Sequence, residues 1–162
     1  MSKQKQPTAS QKALVTLSAV VALNMSDIPQ AAAQSVFSVQ PLVFGSLIAC
    51  GVANPVTVTP TGTISSPNCA RGGGPFNNGI FNVVGTIPPV PIQISLSSTF
   101  VNLGGPGTMK VSNFNLVTNA GGTATTITTF NATIPFGATL NVGGTQAAGV
   151  YSGTITFNAN YM

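Results

Sequence analysis

The chain has 162 residues, enough for one ordinary domain or for a leader and one small domain. Only 4% of the residues are charged, against about 25% in a typical soluble protein, and the chain contains one acidic residue, Asp27, and no histidine. Such a chain offers no carboxylate pair, no base to activate a nucleophile and no histidine-based metal site. We therefore expect neither an enzyme nor a cofactor nor a bound metal.

Residues 1–33 are arranged as a secretory signal peptide. Three lysines accompany an apolar run over residues 13–23, and alanines at 31–33 supply the small residues that a signal peptidase requires. The run is too short for a transmembrane helix, which needs about 20 apolar residues. We predict that residues 1–33 are removed during export and that residues 34–162 form the mature domain, without a membrane span.

The predicted mature chain keeps Arg71 and Lys110 as its only charged side chains. Two separate cations do not form the basic patch that binds nucleic acid, and calcium sites depend on carboxylate oxygens. Soluble monomers normally carry more surface charge, which keeps copies apart. This composition favours a surface that is covered by copies of the same chain or by related subunits.

Cys50 and Cys69 are the two cysteines, and an even count in an exported chain predicts a disulfide. Closing the loop between them stabilises the fold by about 3 kcal/mol on chain-entropy grounds. A redox or metal-binding pair would need Cys-x-x-Cys spacing or further ligands, and the sequence supplies neither. The bond implies folding in an oxidising compartment, such as a bacterial periplasm, on the way to the cell surface or the extracellular space.

Short β-prone runs follow one another along the mature chain and are separated by Gly, Pro and Asn. No segment has a convincing helical period. Strands are predicted, in chain order, over residues 42–49, 56–59, 80–84, 92–97, 109–117, 126–134, 138–142 and 150–161. The pattern predicts an all-β sandwich. The glycine run at 72–74 is assigned to a turn, because it lacks the Lys-Ser/Thr pair of a phosphate-binding loop.

The C-terminal segment, residues 149–162, alternates almost strictly between apolar and polar side chains. Gly149, Tyr151, Ile155, Phe157 and Tyr161 fall on one face of the predicted strand. A strand of this length would extend over about 46 Å. No further chain follows it to form a hairpin, so we predict that one of its flanks lacks a partner from neighbouring sequence.

This segment resembles the C-terminus of chaperone–usher pilins, which carry a glycine at the start of the last strand and a penultimate tyrosine, here Gly149 and Tyr161. The mature chain is also similar to a wider set of pilin-like secreted bacterial domains, which includes spore coat protein U and a related domain of unknown function. The features that it shares are the opening run LVFG at 42–45, Met109 after a GGPG turn, and the glycine-rich close at 142–153.

The resemblance implies an immunoglobulin-like sandwich that lacks one strand, which a periplasmic chaperone lends until the N-terminal extension of the next subunit replaces it at an outer-membrane usher. The expected function is a structural subunit of a fimbrium or surface coat, with a role in cell adhesion. Val36, Phe37 and Val39 would form the donor segment. The other interpretation is that this short N-terminus, which contains Pro41, simply continues into the first strand.

Two other functions are compatible with the sequence. A self-contained secreted binding module, such as a minor adhesin, would use the loop residues Phe76, Asn77 and Asn78. A small outer-membrane β-barrel would also end in an aromatic strand, but most of the predicted strands are shorter than the about 9–11 residues that a spanning strand needs. Binding of glycans by the monomer would favour the first, and extraction only by detergent the second.

Overall fold

The computed structural model describes residues 11–16, 35–49, 51–67, 71–85, 91–117, 123–128 and 131–162. The elements in these ranges are all β-strands. In chain order they are β1 (Gln11–Thr16), β2 (Ser35–Gln40), β3 (Ser46–Leu47), β4 (Asn54–Val58), β5 (Ile64–Ser65), β6 (Arg71–Gly73), β7 (Gly79–Val84), β8 (Ile92–Leu96), β9 (Phe100–Gly104), β10 (Thr108–Leu116), β11 (Ala124–Ile127), β12 (Asn131–Val142) and β13 (Thr154–Tyr161). The prediction of an all-β fold is confirmed.

The strands form two main antiparallel sheets that pack as layers. Sheet I has the order β1-β13-β8-β11. Sheet II has the order β2-β7-β12-β10-β9, with β4 beside β12 and β5 beside β4. The short strands β3 and β6 pair with each other. This is the predicted sandwich, and its two sheets are separate layers rather than one continuous sheet.

An aromatic cluster joins the two layers. Phe157 of sheet I packs against Phe81 and Phe136 of sheet II, with ring centroids 4.2 and 5.2 Å away. All three side chains are fully buried. Such ring pairs contribute about 0.5–1.5 kcal/mol each beyond the area that they bury. The alternating residues of β13 therefore form part of the central core.

Two predicted strands, over residues 126–134 and 138–142, are divided differently in the structure. β11 belongs to sheet I, whereas β12 runs without interruption through Pro135 in sheet II. Along one flank of β12, β7 pairs as far as Phe136 and β4 pairs from Ala138 onward. Pro135 does not end the strand. Its carbonyl accepts from the Val117 amide at 2.9 Å, so its missing N–H faces the end of β10, where that strand stops at Leu116, and the pairing with β7 is unaffected.

The C-terminal strand is shorter than its alternation predicted. β13 has eight residues, and Ser152 instead exchanges two backbone hydrogen bonds with Gly104 of sheet II. The chain crosses between the sheets at Gly153, where a Cβ would lie 2.7 Å from the Leu103 side chain. The predicted strand over 150–161 was therefore wrong in its first four residues.

The predicted strand over 42–49 was also wrong in extent, since within it only β3 is a strand. Gly45, with a φ of 79°, turns the chain before β3 begins. The segment that precedes it, β2, forms the first strand of the predicted mature chain. The strands predicted over 56–59, 80–84, 92–97 and 109–117 agree with β4, β7, β8 and β10 to within two residues at each end. β5, β6 and β9 were not predicted.

Candidate functional site

β13 has a neighbour on each side, and the two neighbours come from different parts of the chain. β8 pairs with β13 between Phe157 and Tyr161, and β1 pairs with it between Thr154 and Ala159. β1 also lies close to β2, the edge strand of sheet II, and so it sits where the two layers meet. All of β1 falls within residues 1–33, the predicted leader. Removal of that leader would leave β13 with β8 alone.

Along β13, the main-chain N–H and C=O groups point alternately toward one neighbouring strand and toward the other. On the β8 side, the Ser97 amide donates to the Thr156 carbonyl and the Met162 amide donates to the Pro91 carbonyl, both at 3.0 Å. Successive residues of a strand direct their N–H and C=O groups to opposite sides. The main-chain N–H and C=O groups of the odd-numbered residues of β13 therefore point toward β1. Removal of β1 would leave these donors and acceptors without their partners.

The same odd-numbered residues form the buried face of the strand. Ile155, Phe157 and Ala159 are at most 1% exposed. Residues directly opposite each other in an antiparallel pair lie on the same face of the sheet. Any strand that replaced β1 would therefore need apolar side chains at the positions opposite these three residues.

An apolar cleft of about 780 Å³ lies beyond the Thr16 end of β1. One wall is the segment 42–49, which follows β2, and the other is the segment 146–151, which leads into β13. Apolar side chains of sheet II complete the lining, namely Leu103, Met109, Leu140 and Val142. β1 runs toward this cleft, because its last residue pairs with Thr154 at the start of β13.

Gly149 and Tyr151 define the shape of the second wall. Gly149 has a φ of 150°, and a Cβ there would lie 2.2 Å from the Pro106 side chain, so both the backbone angle and the close approach require glycine. The Tyr151 hydroxyl donates to the Ala147 carbonyl and accepts from the side-chain amide of Gln146, both at 2.7 Å. These contacts hold the wall against the turn that contains Pro106.

The residues predicted for the assembly strand fall in two parts of the site. Ile155 and Phe157 lie in β13, whereas Gly149 and Tyr151 lie in the cleft wall that precedes it. Tyr161 is the last residue of β13, where it is half-buried and its hydroxyl oxygen has no hydrogen-bond partner. Sequence reasoning found β13 but not the opposite wall, nor β1 beside it.

The predicted donor residues Val36, Phe37 and Val39 lie in β2. This strand pairs with β7, and Val36 packs against the core, whereas Phe37 and Val39 are 40% and 54% exposed. Leu42, which follows β2, is buried. The segment is a strand of its own sheet here, in line with the second interpretation of the N-terminus. Donation to another copy would require β2 to leave β7.

The predicted disulfide between Cys50 and Cys69 lies outside the described residues. β3 ends three residues before Cys50, and β6 begins two residues after Cys69. The antiparallel pairing of β3 with β6 holds these two flanking segments together. The bond itself stays a prediction.

The loop residues predicted for a binding module make hydrogen bonds within the domain. The backbone of Asn77 exchanges two hydrogen bonds with Val43. The Asn78 side-chain amide donates to the Pro60 carbonyl at 2.8 Å, and the Gln40 amide donates to the Asn78 carbonyl at 2.8 Å. These amides therefore fix the end of β2 rather than an exposed ligand site.

Over the described part of the chain, no three potential metal-ligating side chains come together. In the same ranges no helix has the length and apolar character needed to cross a bilayer. The Lys110 ammonium lies 4.5 Å from the centroid of the Phe100 ring. What these residues can do chemically is pair main chains and bury apolar side chains.

No curated protein and no solved structure shows significant similarity to this chain. A family model described as a domain of unknown function, DUF4402, matches residues 34–161. The matched range contains every strand of the sandwich except β1. It begins at the first residue of the predicted mature domain. The chain belongs to the DUF4402 family.

Proposed function

We propose that this chain is a structural subunit of an extracellular fibre or surface coat, in which an extended segment of another subunit completes the sandwich after export. The observation that carries the proposal is the position of β1. It is the second neighbour of β13, and it lies in the predicted leader. The family match, which starts at residue 34, also leaves β1 outside the domain.

An edge of this kind favours pairing with another chain. It combines a row of main-chain donors and acceptors with the apolar side chains of Ile155, Phe157 and Ala159, which removal of β1 would bring toward solvent. Unpaired strand edges template association. Addition of a strand satisfies the main-chain groups, and alternate side chains supply the specificity.

The cleft favours an occupant longer than β1. Apolar side chains are exposed around it, with Val150 at 82% and Ile48 at 56%. A segment that paired along β13 as β1 does and then entered the cleft would need about ten residues at about 3.3 Å each. Its side chains would have to be apolar in the cleft and at alternate positions along β13.

Charge also favours close association between subunits. The predicted mature chain carries Arg71 and Lys110 and no acidic residue. Charge repulsion between such copies is small, so it does little to oppose packing. Until a partner arrives the open edge is an aggregation hazard. The proposal therefore includes a periplasmic chaperone that holds the edge and an outer-membrane usher that exchanges it.

The test uses the mature chain, residues 34–162, and a synthetic peptide of residues 10–18 (SQKALVTLS), which contains β1. We expect the peptide to bind at a 1:1 ratio and to raise the melting temperature of the mature chain. A ligand at 100 times its Kd stabilises by about 2.7 kcal/mol. The matched control is the same peptide with Ala13→Pro, which lacks the N–H that faces Phe157.

Two results would contradict the proposal. The first is a mature chain that is a stable monomer and whose melting temperature neither peptide changes. The second is equal stabilisation by the two peptides. The proline blocks β-pairing but not nonspecific apolar binding, so equal stabilisation would show that the peptides do not bind as paired strands. Light scattering on the mature chain alone is a further measurement, because an open edge should produce assemblies at micromolar concentration.

A second candidate function is a self-contained binding module. The cleft supports it, because its volume is within the about 300–1,000 Å³ typical of small-molecule sites. Its lining is mainly apolar, which favours an apolar ligand over a sugar. A stable mature monomer that binds neither peptide would favour this function over the first.

A further inference from the structure

The predicted processing site lies between two strands that belong to different sheets. β1 pairs with β13 in sheet I, and β2 pairs with β7 in sheet II from Ser35 onward. Cleavage after residue 33 would therefore remove β1 and leave the pairing of β2 intact. The domain would lose one neighbour of β13 and keep the rest of its sandwich.

We propose that the leader is an internal placeholder that prevents the unprocessed chain from assembling. This inference rests on the proposed function, because it assigns the regulation of the same strand edge. A copy that folds before it is processed has β1 on β13, so a strand of a second copy cannot pair with β13. Processing removes β1 and creates the acceptor site.

The covalent link between β1 and β2 gives β1 an advantage over a strand from another molecule in binding to β13. Residues 17–34 join the two strands. A tethered segment meets its site at an effective concentration in the millimolar range. A competing strand on a second molecule at micromolar concentration is then at a disadvantage of about 1000-fold. Cleavage abolishes this advantage, because the released leader, which contains β1, is diluted into the surroundings.

The backbone geometry shows why the same edge serves both states. The main-chain groups of the odd-numbered residues of β13 point toward β1. Three of these residues, Ile155, Phe157 and Ala159, have buried side chains. An incoming strand must bond to the same main-chain groups and cover the same side chains. The two occupants therefore exclude each other, and occupancy by β1 is a direct block to assembly.

The experiment uses the full chain with residues 24–30 replaced by the recognition sequence of a site-specific protease. The protein is refolded from denaturant, and its size is measured by light scattering before and after cutting. We expect monomers before cutting and assemblies after it. An excess of the 10–18 peptide should suppress assembly of the cut chain, which distinguishes strand pairing from nonspecific aggregation.

Two variants of the uncut chain provide a matched pair. Ala13→Pro removes the main-chain donor opposite Phe157 and should permit assembly without cutting. Gln6→Pro lies outside β1 and should leave the uncut chain monomeric. Hydrogen exchange at the Phe157 amide reports directly whether β1 is in place, including in a variant that folds poorly.

The outcomes separate this inference from the proposed function. If the uncut and cut chains assemble to the same extent, the placeholder role is overturned while the subunit function stands. If the cut chain stays a stable monomer that does not bind the peptide, the proposed function fails and the placeholder role fails with it. Assembly only after cutting, or only with Ala13→Pro, supports both.

Discussion

The two flanks of β13 have the same antiparallel pairing but different positions relative to the predicted processing site. β8 lies within the DUF4402 domain and pairs with Phe157–Tyr161. β1 lies in the predicted leader and would be lost with it. One flank of β13 is therefore fixed by the domain itself, and the other is the flank that the proposed function assigns to association.

The two flanks share one set of buried side chains. Ile155, Phe157 and Ala159 contribute to the core whichever strand lies beside them. Damage to these side chains should therefore weaken the fold strongly, whereas damage confined to the cleft wall should weaken it less. Three substitutions sharpen this distinction, in decreasing order of expected effect.

The largest effect is expected for Phe157→Ala. Its ring contacts Phe81 at 4.2 Å and Phe136 at 5.2 Å, and truncation leaves a cavity between the sheets. Burial of this kind predicts a loss of about 3–5 kcal/mol in the free energy of unfolding, measured in urea on the full chain. The control is Phe37→Ala at a side chain that is 40% exposed, for which we expect less than about 1 kcal/mol. Equal losses for the two would contradict the assigned core.

A smaller effect is expected for Gly149→Ala in the cleft wall. The added Cβ meets Pro106 and the φ of 150° strains any other residue, which together cost about 1–3 kcal/mol. Gly143→Ala is the control, since Gly143 has no positive φ and its Cβ would approach a single atom, the Gln146 side-chain oxygen, at 3.2 Å. The measurement is the melting temperature of both variants. A larger loss at Gly143 would argue against the described wall.

The smallest effect is expected from the two tyrosine hydroxyls. Tyr151→Phe removes an oxygen that bonds to both Ala147 and Gln146, and it should cost about 1 kcal/mol in unfolding free energy. Tyr161→Phe removes a hydroxyl that has no partner, so we expect no loss or a slight gain. The reverse order would show that the C-terminal hydroxyl has a partner in solution.

Local pattern predicted the all-β fold and much of the site. Alternation over residues 149–162 placed Ile155 and Phe157 on the buried face, where the structure has them. The glycine and proline breaks delimited β4, β7, β8 and β10 correctly. These features depend on residues close in sequence, which is why the chain alone reveals them.

Non-local contacts account for what the pattern missed. The bridge from Ser152 to Gly104 shortens β13, and β12 continues through Pro135 because the missing N–H faces the end of β10. β1 was not predicted because the apolar run at 13–23 fits an export signal equally well. Its partner lies near the opposite end of the chain, at Thr154–Ala159. No local signal records such a pairing.

Hydrogen exchange along β13 tests most directly whether the domain depends on the leader for one of its strands. The full chain is compared with residues 34–162 at a concentration low enough to keep the latter monomeric. The account predicts that the amides of Ile155, Phe157 and Ala159 exchange at least about 10-fold faster without the leader, the equivalent of about one lost hydrogen bond each. The amides of Thr156, Asn158 and Asn160, which face β8, should change little. Equal protection of all six amides in the shorter chain would contradict it.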